Sequence, residues 1–385
     1  MLREPSTRTT KPPPSCTPVV VWRAKFRYAG DMTGVIAGFD IGGTKVSLAV
    51  EDSSGTRVHQ SIEATGLVSV SIDYAEGHST YRGLVEQLER MLRAVLVKLG
   101  GPRIEAIGIV SAGPILRGGL WSPPNIVPEG IAESHRELPC FMPLVAPLAD
   151  AFACPVDLVN DCSGAILGEV YYGLGKDTPD KSMLHIAYAT ISTGFGVGAW
   201  DGGRLVLGKD GNAGELGHIV ARENGLLCGC GNRGCVEAYA SGSGIVGNAR
   251  KRLLSLDDAE RKSSLLVHLL LGDNAQPAPP STIETYLDKL SPMLVFEAAR
   301  KHDPVAQSVL NDAIYAAGIA FSAIANAYDP DVIFVGGGIM LANPELLEPI
   351  REEMLRHLNV IPPEVCMTPL GAQVTLQGAL AIARS

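Results

Sequence analysis

The sequence predicts a two-lobed α/β protein in which one architecture occurs twice. Three observations lead there. An apolar run that ends in a glycine-rich turn and is followed by a second apolar run occurs at Val35–Val50 and again at Leu184–Trp200. Each pair is followed by further strand and helix patterns, with longer helices in the second set. A chain of 385 residues, 46% hydrophobic and 19% charged, is also long and apolar enough for two lobes.

Val35–Phe39 is a short apolar run that enters Asp40-Ile41-Gly42-Gly43-Thr44-Lys45, and Val46–Val50 follows at once. Two runs joined by a glycine turn describe a β-hairpin, not the strand, loop and helix of a Walker phosphate loop. Thr56–Glu63 fits a third antiparallel strand. Tyr81–Leu99 carries Leu84, Val85, Leu88, Met91, Leu92, Val95 and Leu96 at helical spacing, and Ile104–Val110 reads as a buried strand. The second cycle starts with a strand at Pro155–Val159 that runs through Asn160-Asp161 into a helix ending near Tyr172. Leu184–Tyr188 and Gly196–Trp200 pair as a hairpin with Thr193-Gly194 at its turn. Helices follow at Val236–Leu254, Met293–Lys301 and Val305–Tyr328, and the strand Val332–Val335 enters Gly336-Gly337-Gly338. Ser255–Leu290 contains Pro277, Pro279 and Pro280 with little period, and it reads as a surface insertion. The expected division is a tail or leader over 1–33, a small lobe over 34–150 onto which the C-terminal helix 370–385 packs back, and a large lobe over 151–369.

The net charge of −9 argues against a nucleic-acid surface, which needs clustered Lys and Arg. No uninterrupted apolar stretch reads as long enough to cross a bilayer. The longest, around Ala313–Ala327, is interrupted by Tyr315, Ser322 and Asn326 and reads as a buried helix of a soluble chain. Met1–Asp31 carries six Lys and Arg against two acids and a Pro12-Pro13-Pro14 run, without the apolar core of a secretory signal. Its Arg, Ser and Thr content is also that of an organelle transit leader; we read it as a disordered tail, or as sequence ahead of a start at Met32.

Five of the eight cysteines (Cys16, Cys140, Cys154, Cys162 and Cys366) are scattered and read as reduced, mostly buried thiols. The other three are packed into Cys228-Gly229-Cys230-Gly231-Asn232-Arg233-Gly234-Cys235, where the glycines permit tight turns. That density is a metal signature and favours a reducing cytoplasm. His218, ten positions upstream of Cys228, is the candidate fourth ligand. Three Cys and one His close a tetrahedral structural zinc site with no position left for water.

Asp40, Gly42, Gly43, Thr44 and Lys45 together have the parts to hold a nucleotide tail: backbone that approaches phosphate closely, a hydroxyl donor, a cation, and a carboxylate able to hold Mg²⁺ through water. Thr193 and Gly194 offer a second such turn, and Gly336, Gly337 and Gly338 a third. Each alone is also an ordinary tight turn; three at corresponding places favour phosphate binding. Asp161 sits where a strand hands over to a helix. There it is either a general base for an attacking hydroxyl or a helix cap, and local sequence favours the cap.

These residues resemble the ROK sugar kinases of the actin/hexokinase-like ATPase superfamily. The resemblance runs from about Val35 to the C-terminus. It rests on Phe39-Asp40-Ile41-Gly42-Gly43-Thr44-Lys45, Val159-Asn160-Asp161, Ser192-Thr193-Gly194-Phe195-Gly196-Val197-Gly198, Gly214-Glu215-Leu216-Gly217-His218, the cysteine run through Glu237, and Asp329–Gly338. It implies the two-lobed actin-like (ribonuclease H-like) fold with a zinc knuckle in the larger lobe. It also implies Asp161 as catalytic base, and Asn125, Asn160, Glu215, His218 and Glu237 as sugar contacts. His218 would then serve both zinc and sugar. Phosphates would lie between the first two glycine turns, with adenosine near Gly336–Gly338. Three departures stand out: Val159-Asn160-Asp161-Cys162-Ser163 stands where the family often has Glu-Asn-Asp-Ala-Asn, Ser111-Ala112-Gly113-Pro114 replaces a Gly-x-Pro-Gly pattern, and Ser255–Leu290 is longer than usual.

The function so implied is transfer of phosphate from ATP, with Mg²⁺, to a hexose, first of all glucose at its 6-hydroxyl. Mannose, fructose, allose and N-acetylmannosamine compete as substrates, and other nucleotides or polyphosphate as donors. A sugar-sensing repressor needs a DNA-binding domain ahead of the body, for which the 33 residues before the first strand are too few. A non-catalytic scaffold has no use for a full set of sugar and base residues. Family habit and the long apolar helix imply a homo-oligomer, dimer or tetramer, without nucleic-acid or membrane partners.

Overall fold

The structure, a computed structural model, describes residues 34–66, 72–75, 78–123, 126, 139–209, 211–272 and 284–385. The tail 1–33, Cys16 and Asn125 lie outside the described residues. In chain order the strands begin with β1 (Val35–Ile41), β2 (Lys45–Asp52), β3 (Arg57–Ala64), β4 (Ile72–Ala75), β5 (His78–Tyr81), β6 (Ile104–Ser111), β7 (Ile115–Leu116), β8 (Gly119–Trp121) and β9 (Cys140–Pro143). There follow β10 (Val156–Asn160), β11 (His185–Ile191), β12 (Phe195–Asp201), β13 (Arg204–Leu205), β14 (Val332–Gly336) and β15 (Glu364–Met367).

One sheet has the order β10-β6-β1-β2-β3 and another β13-β12-β11-β14-β15. In each, the first three strands form an antiparallel meander, and two later strands join in parallel on the open side of the first. Numbered within itself, each sheet reads 3-2-1-4-5. The same topology therefore occurs twice. Burial explains the run-like pattern of the inner strands: Val35, Ile36, Ala37 and Phe39 are all buried, so β1 is covered on both faces and shows no polar alternation.

A third sheet, β4-β5-β9-β8-β7, is built from strands of two to four residues. Sequence reading contains none of these, because so few residues cannot register a period of two.

Helix Gly83–Lys98 lies where its spacing predicts, with Leu84, Val85, Leu88, Met91, Leu92 and Val95 buried. The helix expected from Val236 instead begins at Gly242, after a single 3₁₀ turn at Val236–Ala238. Ser241 makes the break: its side chain accepts from Gly244 N–H and caps the new helix, while Gly242 N–H donates to Ser192 O at 2.7 Å.

The surface-insertion reading of Ser255–Leu290 needs correction in its described parts, 255–272 and 284–290; Pro277, Pro279 and Pro280 lie outside the described residues. Helix Leu265–Leu271 buries Leu266, Val267 and Leu270 in the same core as Leu287 and Leu290. Asp303 ties it there. One carboxylate oxygen caps helix Pro304–Tyr328 through Ala306 N–H (2.8 Å), and the other accepts from Ser264 Oγ (2.8 Å) and Leu266 N–H (3.2 Å). The helix expected to be buried around Ala313–Ala327 is buried, and it is longer than its polar interruptions suggest. Helix Pro304–Tyr328, 25 residues long, is by length and composition apolar enough to span a bilayer. Its packing says otherwise: Ala313, Ala316, Ala317, Ala320, Phe321, Ile324 and Ala325 are buried in the protein core.

The C-terminal helix Val374–Ala383 rests on β1, β6 and helix Asp161–Tyr171 at backbone distance. Glycines make this possible. A Cβ on Gly38 would meet the main chain of Leu380, and one on Gly378 would meet the main chain of Gly164.

Candidate active site

Strands β1, β6 and β10 run parallel, so their carboxyl ends share one edge. The register pairs Ile41 with Ser111, and Ser111 with Asn160. Asp40 and the Asn160-Asp161 pair are thereby carried to the same carboxyl edge of the sheet, where open α/β sheets form their ligand crevice.

Asp40 is held from the far end of the chain. Thr375 Oγ1 donates to its Oδ2 at 2.8 Å. Burial pushes the Asp40 pKa up to about 6; the Thr375 bond opposes this, nearby Asp161 adds to it, and Lys45 opposes it. Beyond Asp40 the chain turns tightly. Gly42 N–H donates to Lys45 O at 2.8 Å, and the Thr65 hydroxyl donates to Gly42 O at 2.8 Å. Thr44 and Lys45 are left exposed on the turn.

The cap of helix Asp161–Tyr171 is Asn160, not Asp161 as local sequence favours. Asn160 has extended backbone and its Oδ1 accepts from Cys162 N–H at 2.8 Å. Asp161 Oδ1 shares that donor at 2.9 Å, from the first helical position. Burial raises the Asp161 pKa, against hydrogen bonds from Cys162 and Asn160. The departure Cys162 thus falls against the acid, and its own thiol is pushed well up by burial and by Asp161.

The hairpin β11–β12 crosses this helix start. A Cβ on Gly196 or Gly198 would run into Cys162, so only glycine lets the strand lie this close. That brings the Thr193-Gly194 turn to the crevice. Glu237 stands beneath it, its Oε2 accepting from Phe195 N–H at 2.9 Å. The third glycine turn joins the second: Thr190 pairs with Gly336, and Gly337 (φ 90°) lies against Thr190 and Ile191. Gly338 has open space where a Cβ would stand.

Glu215 and His218 enter from a 3₁₀ turn at Leu216–His218. Partial desolvation raises the pKa of Glu215, although its side chain is 61% exposed; His218 opposes this, and Glu237 and Asp161 add to it. Those four side chains are therefore electrostatic neighbours. His218 Nε2 lies 3.6 Å from Glu215 Oε2, and its Nδ1 lies 3.7 Å from Cys228 Sγ.

The donor atoms of His218, Cys228, Cys230 and Cys235 all lie within 4.8 Å of one another. Cys230 Sγ and Cys235 Sγ are 3.7 Å apart. A tetrahedral ion with metal–sulfur bonds of about 2.3 Å sets S···S edges near ~3.8 Å. The set fits such an ion.

Among the described residues, Thr375 and Asn212 are site neighbours that sequence reading misses. A Cβ on Gly113 would stand 3.8 Å from Asn160 Nδ2 and 3.9 Å from Asn212 Oδ1, so the Gly113-Pro114 turn faces both amides. Neither residue has a motif to mark it.

The sequence matches the model of the ROK family over residues 36–385. It is 31% identical to the glucokinase of Streptomyces coelicolor, covering 91% of this chain and 98% of that protein. It is 28% identical to the N-acetylmannosamine kinase of Vibrio cholerae, covering 79% and 83%. Among solved structures, a ROK family glucokinase from Streptomyces griseus in complex with glucose and AMPPNP superposes with a TM-score of 0.63 at 29% identity, over 91% of this chain and 99% of that one. A match running from β1 to the last residue makes this protein a member of the ROK family.

Proposed function

We propose that the protein is an ATP-dependent hexose kinase, with glucose phosphorylated at its 6-hydroxyl. One observation carries the reading: Asp161, Glu215, His218 and Glu237 gather at one crevice, beside a glycine turn on each of the two repeated sheets. The glucokinase relatives support the substrate.

Asp161 accepts the proton of the attacking hydroxyl as the oxygen bonds to the terminal phosphorus and ADP leaves. Its raised pKa suits it to that proton. Asn160, Glu215, His218 and Glu237 hold the sugar hydroxyls and aim one at the phosphate; Asn125, outside the described residues, shares that role. The Asp40–Lys45 turn and Thr193-Gly194 cradle the phosphates, and Gly336–Gly338 lies by the adenosine. Asp40 would hold Mg²⁺ through water; when bound, that ion neutralises phosphate charge. His218, Cys228, Cys230 and Cys235 would hold a structural Zn²⁺; with Nδ1, the nitrogen on the cysteine side, so engaged, the tautomer and aim of Nε2 would be fixed. Lobes over 34–150 and 151–369 close on the crevice and exclude water. A reducing, cytoplasmic setting keeps the thiolates free for the metal.

The test is ADP release with MgATP and a panel of hexoses and N-acetylhexosamines, for the parent and for Asp161→Asn. Turnover of glucose above the others, lost in the variant, supports the reading. Preference for N-acetylmannosamine would move the substrate to the second reading, which the Vibrio cholerae relative favours. No turnover with any sugar would overturn the kinase.

A further inference from the structure

We infer that Thr375 is a positioning residue for the nucleotide half of this reaction: its hydroxyl sets the orientation of the Asp40 carboxylate. The inference rests on the kinase reading of the crevice and goes beyond it. Thr375 Oγ1 donates to Asp40 Oδ2 at 2.8 Å across 335 residues of sequence. With Oδ2 engaged, the carboxylate's rotation is restrained and Oδ1 is the oxygen outside that bond.

The contact follows from how the last helix is seated. Leu380 lies directly over Gly38 of β1, where the absence of a Cβ allows helix and strand to touch through their backbones. From Leu380 back to Thr375 the helix travels about 7.5 Å at 1.5 Å per residue. From Gly38 to Asp40 the strand travels about 6.6 Å. The two paths match, so Thr375 arrives level with Asp40. The same helix touches Gly164 and Gly168 of helix Asp161–Tyr171 through Gly378 and Val374. One rigid element therefore references both Asp40 and the helix that starts with Asp161. Thr375 is the side chain through which it grips the first of these.

Thr375→Val keeps the shape and removes the donor; Thr375→Ser restores it. The probe is AMPPNP with Mn²⁺, followed by titration calorimetry and by the Mn²⁺ electron paramagnetic resonance signal, with glucose titrated separately. The valine variant is expected to bind Mn²⁺–AMPPNP about tenfold more weakly and to lose a similar factor in kcat/KM for MgATP. Its glucose affinity stays within about twofold of the parent, and the serine variant recovers most of the loss. Unchanged Mn²⁺–AMPPNP affinity in Thr375→Val would overturn the inference. So would equal losses for sugar and nucleotide with a lowered Tm and no rescue by serine, which marks a merely structural hydroxyl. Should the parent itself phosphorylate no sugar, the kinase reading falls, while the binding titrations still decide the role of Thr375.

Discussion

The Nε2 of His218 lies 3.6 Å from Oε2 of Glu215, while the other ring nitrogen faces the cysteine cluster. One imidazole thus stands between Glu215 and the candidate metal ligands. A ligand that fixes Nδ1 also fixes what Nε2 presents. If the proposed Zn²⁺ is held there, removing it with a chelator is expected to raise the KM for sugar roughly tenfold or more while moving the KM for ATP much less. Steady-state kinetics before and after dialysis, with metal content measured alongside and Zn²⁺ added back, check this. Equal losses for both substrates would contradict it.

Asp161→Asn keeps the size of the side chain and removes the proton acceptor. kcat is expected to fall by about 10²–10⁴, with sugar affinity little changed. In the parent, burial raises the Asp161 pKa from its ordinary value. Activity therefore rises with pH as Asp161 loses its proton, and the acid limb of kcat is displaced toward higher pH. A pH–rate profile flat down to about pH 4 would speak against Asp161 as base.

Asp40 carries a cost in stability. Its pKa is about 6 in the fold against 3.8 unperturbed, so between those values the folded chain binds more protons than the unfolded one. Stability contributed by Asp40 therefore falls as pH climbs through that window, and at neutral pH the buried charge costs on the order of 2–3 kcal/mol. Asp40→Asn should raise Tm in metal-free buffer at pH 7 while depressing turnover. Calorimetric scans at pH 4 and pH 7 test it: the gain should shrink toward pH 4.

Glu51 is a buried hub between β2, helix Asp161–Tyr171 and the C-terminal residues. Its Oε2 accepts from Tyr172 OH at 2.9 Å and pairs with Arg384 Nη2 at 2.8 Å, and its Oε1 faces Arg57 Nη2 at 3.3 Å. Glu51→Ala leaves Arg384 without its carboxylate in the interior. A loss of about 3 kcal/mol in unfolding free energy is expected by denaturant titration. A change under about 1 kcal/mol would mean that water or Tyr172 replaces the lost partner.

Much of the candidate site was legible in the sequence because its signals are local. The glycine turns after Asp40 and before Phe195, the Asn160-Asp161 handover from strand to helix, and the cysteine run are written in neighbouring residues. Each follows from short-range geometry that any fold must obey. Strands β1, β2, β3, β11 and β12, the helix Gly83–Lys98 and the long helix Pro304–Tyr328 were legible for the same reason, since their apolar spacing repeats often enough to register, whereas the two-residue β13 was not.

Tertiary structure alone decided the rest. Strands of two to four residues in the third sheet exist by pairing, not by pattern. Helix Leu265–Leu271 became core because Asp303, far along the chain, holds its start. Asn160 took the cap and left Asp161 to the crevice, a choice between adjacent residues that depends on backbone angles. Thr375 reached Asp40 because Gly38 lets a helix settle on a strand. Sequence spacing encodes what a segment does with its neighbours in the chain, while burial and hydrogen-bond partners far away in sequence are set only when the sheets and helices close on one another.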